Sequence, residues 1–164
     1  MKKITYFVIS LLLLINTIGC TGYEPIFSSV KFQLEIADHK IKGNKILGNK
    51  IYSQFNNFFK NKENNPDAKI VHLTIEVLNS KNPTAKNSAG KILEYRIVME
   101  TNIILKDFYN NNEILNHKII SYSSYKVQDE YSETKKLENK TIDNLLDKTY
   151  EDLLIKISET ISAE

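Results

Sequence analysis

Between residues 91 and 107, every second position from Tyr95 onward faces one way: Tyr95, Ile97, Met99, Thr101, Ile103 and Leu105. Glu94, Arg96, Glu100 and Asn102 stand between them. Side chains of a β-strand alternate between its two faces, so this spacing predicts a long strand, buried on one side and wet on the other. The turn-forming run Tyr109-Asn110-Asn111-Asn112 follows, and residues 113–125 run back as a strand, which together predict a β-hairpin. A sheet with one apolar face needs a second layer to cover it. The remaining segments must supply that layer or extend the sheet.

They divide in that way. Lys31-Phe32-Gln33-Leu34-Glu35-Ile36 alternates strictly and predicts a strand over 31–36, followed by a polar turn over 38–43. The period then changes. Leu47, Ile51, Phe55, Phe58 and Phe59 recur at helical spacing, predicting an amphipathic helix over 44–60 that stops in the loop-like Asn61-Lys62-Glu63-Asn64-Asn65-Pro66. Val71, Leu73, Ile75 and Val77 mark a strand over 69–78. Residues 79–90 (NSKNPTAKNSAG) offer little to bury and read as a loop. From 132 to 163, Leu137, Thr141, Leu145, Thr149 (or Leu146), Leu153, Ile157 and Ile161 form one stripe of a long helix, with Ser132 and Glu133 suited to its N-terminus. The order β-α-β-β-β-α predicts an α+β two-layer sandwich: a four-stranded, mostly antiparallel sheet covered by two helices.

Size agrees with one domain, since 164 residues are too few for two ordinary ones. The single Cys excludes an internal disulfide framework and a Cys-based zinc finger. That Cys has a telling position. Met1-Lys2-Lys3 is basic, and the apolar stretch over 4–18 is shorter and more interrupted than the roughly 20 residues of a membrane span. This reads as a secretory signal. Gly19-Cys20 closes it and resembles the bacterial lipobox, at which a diacylglyceryl-modified Cys becomes the mature N-terminus; an ordinary signal peptide with an incidental Cys is the plainer alternative. The expectation is a signal peptide over 1–19, a lipidated tether over 20–29 anchored in a membrane through Cys20, and one α+β domain over 30–164. The formal charge of +2 then vanishes with Lys2 and Lys3. Residues 20–126 carry 15 basic and 10 acidic groups, and residues 127–164 carry 5 and 10.

Catalytic and nucleotide-binding motifs are absent from the sequence: there is no HExxH, GxSxG, CxxC, Walker loop or GxGxxG. His39, His72 and His117 are isolated and lack partners at metal-ligand spacing. Asp129, Glu130 and Glu133 complement a helix start better than they pair as catalytic acids. The expectation is a non-enzyme with no cofactor and no metal. A neutral mature chain with dispersed Lys also argues against nucleic acid as a partner. One set of residues stands out: Lys81, Lys86 and Lys91 in or beside 79–90, and Lys135 and Lys136 at the start of the last helix. They make a solvated surface or a site for an anionic partner such as a phosphorylated lipid, where Lys acts as a point charge.

The tether carries a family resemblance. Cys20-Thr21-Gly22-Tyr23-Glu24-Pro25-Ile26-Phe27 resembles the C-G-(aromatic)-x-P-(Leu)-(Tyr) start of the LPS-assembly lipoproteins (LptE/RlpB type), with Thr21 inserted and Ser28 where the family has Gly. The likeness extends over 90–161, through Glu94-Tyr95-Arg96, the hairpin, and a helix with Asp147, Glu151, Leu153 and Leu154. It implies a lipid-anchored protein on the periplasmic side of the outer membrane. There it would plug and help assemble an LptD-like β-barrel and bind lipopolysaccharide. Lys86, Lys91, Lys135 and Lys136 are the positions nearest to the family's basic ligand-binding residues. An auxiliary lipoprotein of an ABC-type lipid transport system is the alternative, and an envelope enzyme is a third class.

Overall fold

A computed structural model of the chain describes residues 34–60 and 68–162. Within them the strands are β1 (Leu34–Gly43), β2 (Lys69–Lys86), β3 (Ile92–Asp107) and β4 (Glu113–Lys126). The helices are α1 (Lys45–Lys60) and α2 (Tyr131–Ser162). The order is β-α-β-β-β-α, in an α+β fold of two layers. The sheet runs β1-β2-β3-β4, with β1 parallel to β2 and the other two pairs antiparallel. Among the described residues no helix is long and apolar enough to cross a membrane. Lys31, Phe32 and Gln33 of the first expected strand, the signal peptide, the tether and Cys20 lie outside the described residues.

The alternation over 91–107 holds. Ile97, Met99, Thr101, Ile103 and Leu105 are buried, facing α1 and α2 with Val71, Leu73, Ile75 and Val77 of β2. Leu47, Ile51 and Phe55 of α1 and Leu145, Leu146, Leu153, Leu154 and Ile157 of α2 close the core. Two hydroxyls deep in it, Ser121 of β4 and Thr149 of α2, satisfy each other at 3.1 Å. That bond spares both the penalty of a buried, unpaired polar group and fixes the helix against the strand.

The β1–α1 connection is tight and locally determined. Gly43 has φ +69, and a Cβ there would meet the Val77 carbonyl oxygen at 2.2 Å. Asn44 follows as the N-cap, its Oδ1 accepting from the N–H groups of Ile46 (3.1 Å) and Leu47 (3.2 Å). Its own N–H donates to Val77 at 2.7 Å, tying the cap to the sheet. At the other turn, the Asp107 carboxylate accepts from the N–H groups of Tyr109 and Asn110, and Asn111 takes φ 59, a conformation Asn tolerates.

Three sequence expectations change. Residues 38–43 are strand, not turn. The register with β2 shifts between Ile36 and Asp38, so Ala37 is an extra residue. The bulge swaps the faces. Leu34 and Ile36 point to the helices before it, His39 and Ile41 after it, which disguises the alternation. Residues 79–86 are also strand, leaving only 87–91 as a turn. Finally α2 starts at Tyr131, so Ser132 lies inside the helix, where its hydroxyl donates to the Glu130 carboxylate at 3.4 Å.

Candidate functional site

The polar half of β2, residues 79–86, is a strand because it continues the antiparallel ladder with β3. β1 ends at Gly43, opposite Val77, so beyond that point no described strand pairs with the outer edge of β2. Pro83 fits there because it sits on that edge next to irregularities at Pro83/Ala85 and Ala85/Lys86. The result is an exposed arm. At its tip, the Asn87 N–H donates to the Lys91 carbonyl (2.9 Å), and the Asn87 side chain accepts from the N–H of Lys91 (2.9 Å). Gly90 supplies the positive φ of 81. Lys86 and Lys91 thus flank one turn, both exposed. Neither forms an ion pair among the described residues.

Where the arm leaves the helix layer, five side chains converge. Lys81 donates to Glu138 Oε2 at 2.6 Å, the Tyr125 hydroxyl donates to the same oxygen at 3.0 Å, and Lys135 reaches Oε1 at 3.0 Å. The Lys81 ammonium also lies 4.3 Å from the centre of the Tyr95 ring, which stacks on Tyr125 at 5.9 Å. The Glu138 side chain is 14% exposed and that of Lys81 38%. Burial alone opposes both charges, but their bonds prevail. Against burial, hydrogen bonds from Lys81, Lys135 and Tyr125 hold the Glu138 carboxyl down at about 2. Likewise, despite burial, bonds to Glu138 and Tyr125 push the Lys81 ammonium up to about 12. Burial and then the bond to Glu138 push the Tyr125 phenol up, so it stays protonated and donates.

The sequence-derived lysines therefore separate into two kinds. Lys86 and Lys91 are unpaired charges at a projecting tip. Lys135 is engaged with Glu138, and Lys136 with Glu133 at 2.8 Å. The convergence of Lys81, Tyr95, Tyr125 and Glu138 was missed by grouping Lys81 with a loop. Its signal is present nonetheless: position 81 continues the 71, 73, 75, 77 series and so belongs to the helix-facing side. His72 Nδ1 donates to the Asp38 carboxylate at 2.5 Å and its ring lies 4.9 Å from the Phe108 ring, a structural use of that residue. Among the described residues no cluster of His, Cys, Asp and Glu has the composition to hold a metal.

The arrangement presents an exposed arm with two basic side chains on a two-layer base, and among the described residues nothing in it brings a nucleophile to a base. No protein-family model matches the chain, and no curated protein matches it. Solved structures do. Rare lipoprotein B from Shewanella oneidensis shares the fold at a TM-score of 0.54 and 10% identity, over 77% of this chain and 97% of that one. An uncharacterized lipoprotein B from Nitrosomonas europaea gives 0.57 and 17%, over 79% and 87%. A minor lipoprotein from Acinetobacter baumannii gives 0.55 and 12%, over 76% and 90%. The likeness is one of fold, and these three structures are of lipoproteins.

Proposed function

We propose that this chain is a non-enzymatic outer-membrane lipoprotein of the LptE/RlpB type. In this reading it is anchored through Cys20, faces the periplasm, plugs and helps assemble an LptD-like β-barrel, and binds lipopolysaccharide on its way to the outer leaflet. The observation that carries the reading is the shared fold, which spans nearly the full length of the lipoprotein B structures. The Gly19-Cys20 lipobox and the Cys20-to-Phe27 tether support it from the sequence. The exposed, unpaired Lys86 and Lys91 supply positive charge for the phosphates of such a lipid, and the arm places them away from the helix layer. Two or three acyl chains on Cys20 would hold the protein to the membrane, since one chain binds only reversibly.

The test is affinity purification of the full-length chain from membranes of its own organism, with identification of what accompanies it. A β-barrel of the LPS-export type is the expected companion. Recovery of inner-membrane transport components alone would instead select the ABC-type auxiliary role.

A further inference from the structure

β3 joins two turns at opposite ends of the sheet, and their chemistry is opposite. Lys86 and Lys91 flank the turn at the arm tip, which holds no aromatic residue. The base turn reads Asp107-Phe108-Tyr109-Asn110-Asn111-Asn112. β3 has 16 residues, and at about 3.3 Å each they put the two turns roughly 50 Å apart. The base turn is shaped without help from its aromatic rings. The Asp107 carboxylate accepts from the N–H groups of Tyr109 (2.9 Å) and Asn110 (3.1 Å), and the Asn110 side chain accepts from the N–H of Asn112 (2.8 Å). The Asp107 N–H donates to the Asn112 carbonyl at 2.9 Å. Yet Tyr109 is 79% exposed, with its ring against the edge of Phe108 at 5.4 Å. Phe108 in turn backs onto His72 at 4.9 Å. An outward aromatic pair therefore stands where a polar residue at 109 would complete the turn equally well. The one carboxylate of the tip is spent on backbone N–H groups.

The place where the chain enters the domain decides what this pair can meet. β1 begins at Leu34 opposite Lys69, and Val71 lies opposite Asp107, so the entry and the base turn share one end of the sheet. From Cys20 to Leu34 the chain takes 14 steps, which span at most about 50 Å. β2 runs 18 residues from that end to the arm tip, or roughly 60 Å. With Cys20 held in a leaflet and the domain upright, the arm tip cannot rest on that leaflet, whereas the base turn can. We propose that the base turn is a membrane-contact site: Phe108 and Tyr109 lodge among the headgroups of the leaflet that holds Cys20, and the arm points away from it. The partner is the lipid surface. Tyr suits that boundary, with an apolar ring and a polar tip. Two rings alone hold a membrane weakly, but a tether makes the contact intramolecular and raises its effective concentration. The inference rests on the Cys20 anchor, and it describes the anchored chain before a barrel encloses it.

The chain has no Trp, so Tyr109→Trp installs a single fluorescent reporter at the turn. Tyr122→Trp on the helix-free sheet face and Tyr131→Trp at the start of α2 install comparable reporters, at positions 67% and 80% exposed. The full-length variants are purified from membranes and placed in vesicles of phosphatidylethanolamine and phosphatidylglycerol, with and without spin-labelled acyl chains. All three reporters share the affinity of Trp for the membrane interface, so a difference between them belongs to their place. Tyr109→Trp is expected to lose most of its emission to the spin-labelled lipid, while Tyr122→Trp and Tyr131→Trp keep theirs. The intact mass of the same protein reports the acyl chains on Cys20, so the anchor and the turn are judged separately. An acylated chain whose Tyr109→Trp emission is unquenched overturns the proposal and leaves the anchor standing. An unacylated chain removes the anchor reading, and the Tyr109→Trp signal alone then decides the turn. Quenching of Tyr122→Trp or Tyr131→Trp as strong as that of Tyr109→Trp overturns the proposal too, because the domain then meets the lipid through another surface.

Discussion

Strands β2 and β3 each pass through two regions of opposite chemistry. In the base, from Val71 to Val77 and from Ile97 to Leu105, alternate residues are sealed under the helices. In the arm, from position 82 to 94, the same two strands stay paired with hardly an apolar side chain buried. Hydrogen-bonded pairing is therefore shared, and burial is not. The base derives its stability from the hydrophobic core, whereas the arm is an extension held by ladder bonds, the Asn87 turn and the rigidity of what it grows from. Substitutions should tell the two regions apart.

The largest contrast is expected from core truncation. Phe55→Ala or Leu153→Ala removes a side chain with almost no exposure, and should cost about 3 to 5 kcal/mol in urea unfolding. Leu93→Ala in the arm removes a side chain that is 43% exposed, and should stay within about 0.5 kcal/mol. An equal loss from both would break the comparison, because the arm would then be part of the core.

The junction between the regions should come next. Glu138→Gln leaves the shape but removes the charge that Lys81, Lys135 and Tyr125 address, and should cost about 1.5 kcal/mol, the low end for charged hydrogen bonds because Lys81 is partly solvated. The pH dependence has a defined sign. Glu138 is lowered from 4.5 to about 2, so its contribution is complete above pH 4.5 and is lost as the pH falls through about 2. Lys81 is raised from 10.5 to about 12, so its contribution is complete below pH 10.5 and is lost as the pH rises through about 12. The stability difference between the unsubstituted chain and Glu138→Gln should be flat across neutral pH and shrink at both extremes. A difference that grows toward acid would show that this carboxylate is not the one held by Lys81.

The same contrast explains what was legible in the sequence. Base elements announce themselves, because burial on one face imposes a period: two for Ile97 to Leu105, and near 3.6 for Leu47, Ile51 and Phe55. Order and layering follow from those periods. The arm has no face to bury, so residues 79–86 carry loop-like composition while forming a strand. In β1 the single inserted Ala37 swaps the faces midway and hides an alternation that is present on each side of it. The basic positions were readable as residues, but not their engagement. That Lys135 answers Glu138 while Lys91 answers nothing depends on where α2 crosses β4, which is a tertiary fact. Asn44, expected inside the helix over 44–60, instead caps it from just outside. Asn44→Ala should cost about 1 kcal/mol in thermal or urea unfolding, since both its accepted bonds lie at the helix start.

The smallest effect on stability, and the sharpest on binding, is expected at the arm tip. Lys86→Glu with Lys91→Glu changes two exposed groups that hold nothing in place, so unfolding should shift by no more than about 0.5 kcal/mol. If the tip receives a phosphorylated lipid, the same pair should lose lipopolysaccharide binding, and the loss should be greatest at low salt because exposed charges are screened within about 8 Å at physiological ionic strength. Lys135→Glu with Lys136→Glu is the informative partner. It reverses two groups already neutralised by Glu138 and Glu133, so it should disturb stability more than the tip pair does, and binding less. The opposite ranking would move the ligand from the arm to the start of α2, and would make the Glu138 cluster a place that releases its lysines to a ligand, not one that keeps them.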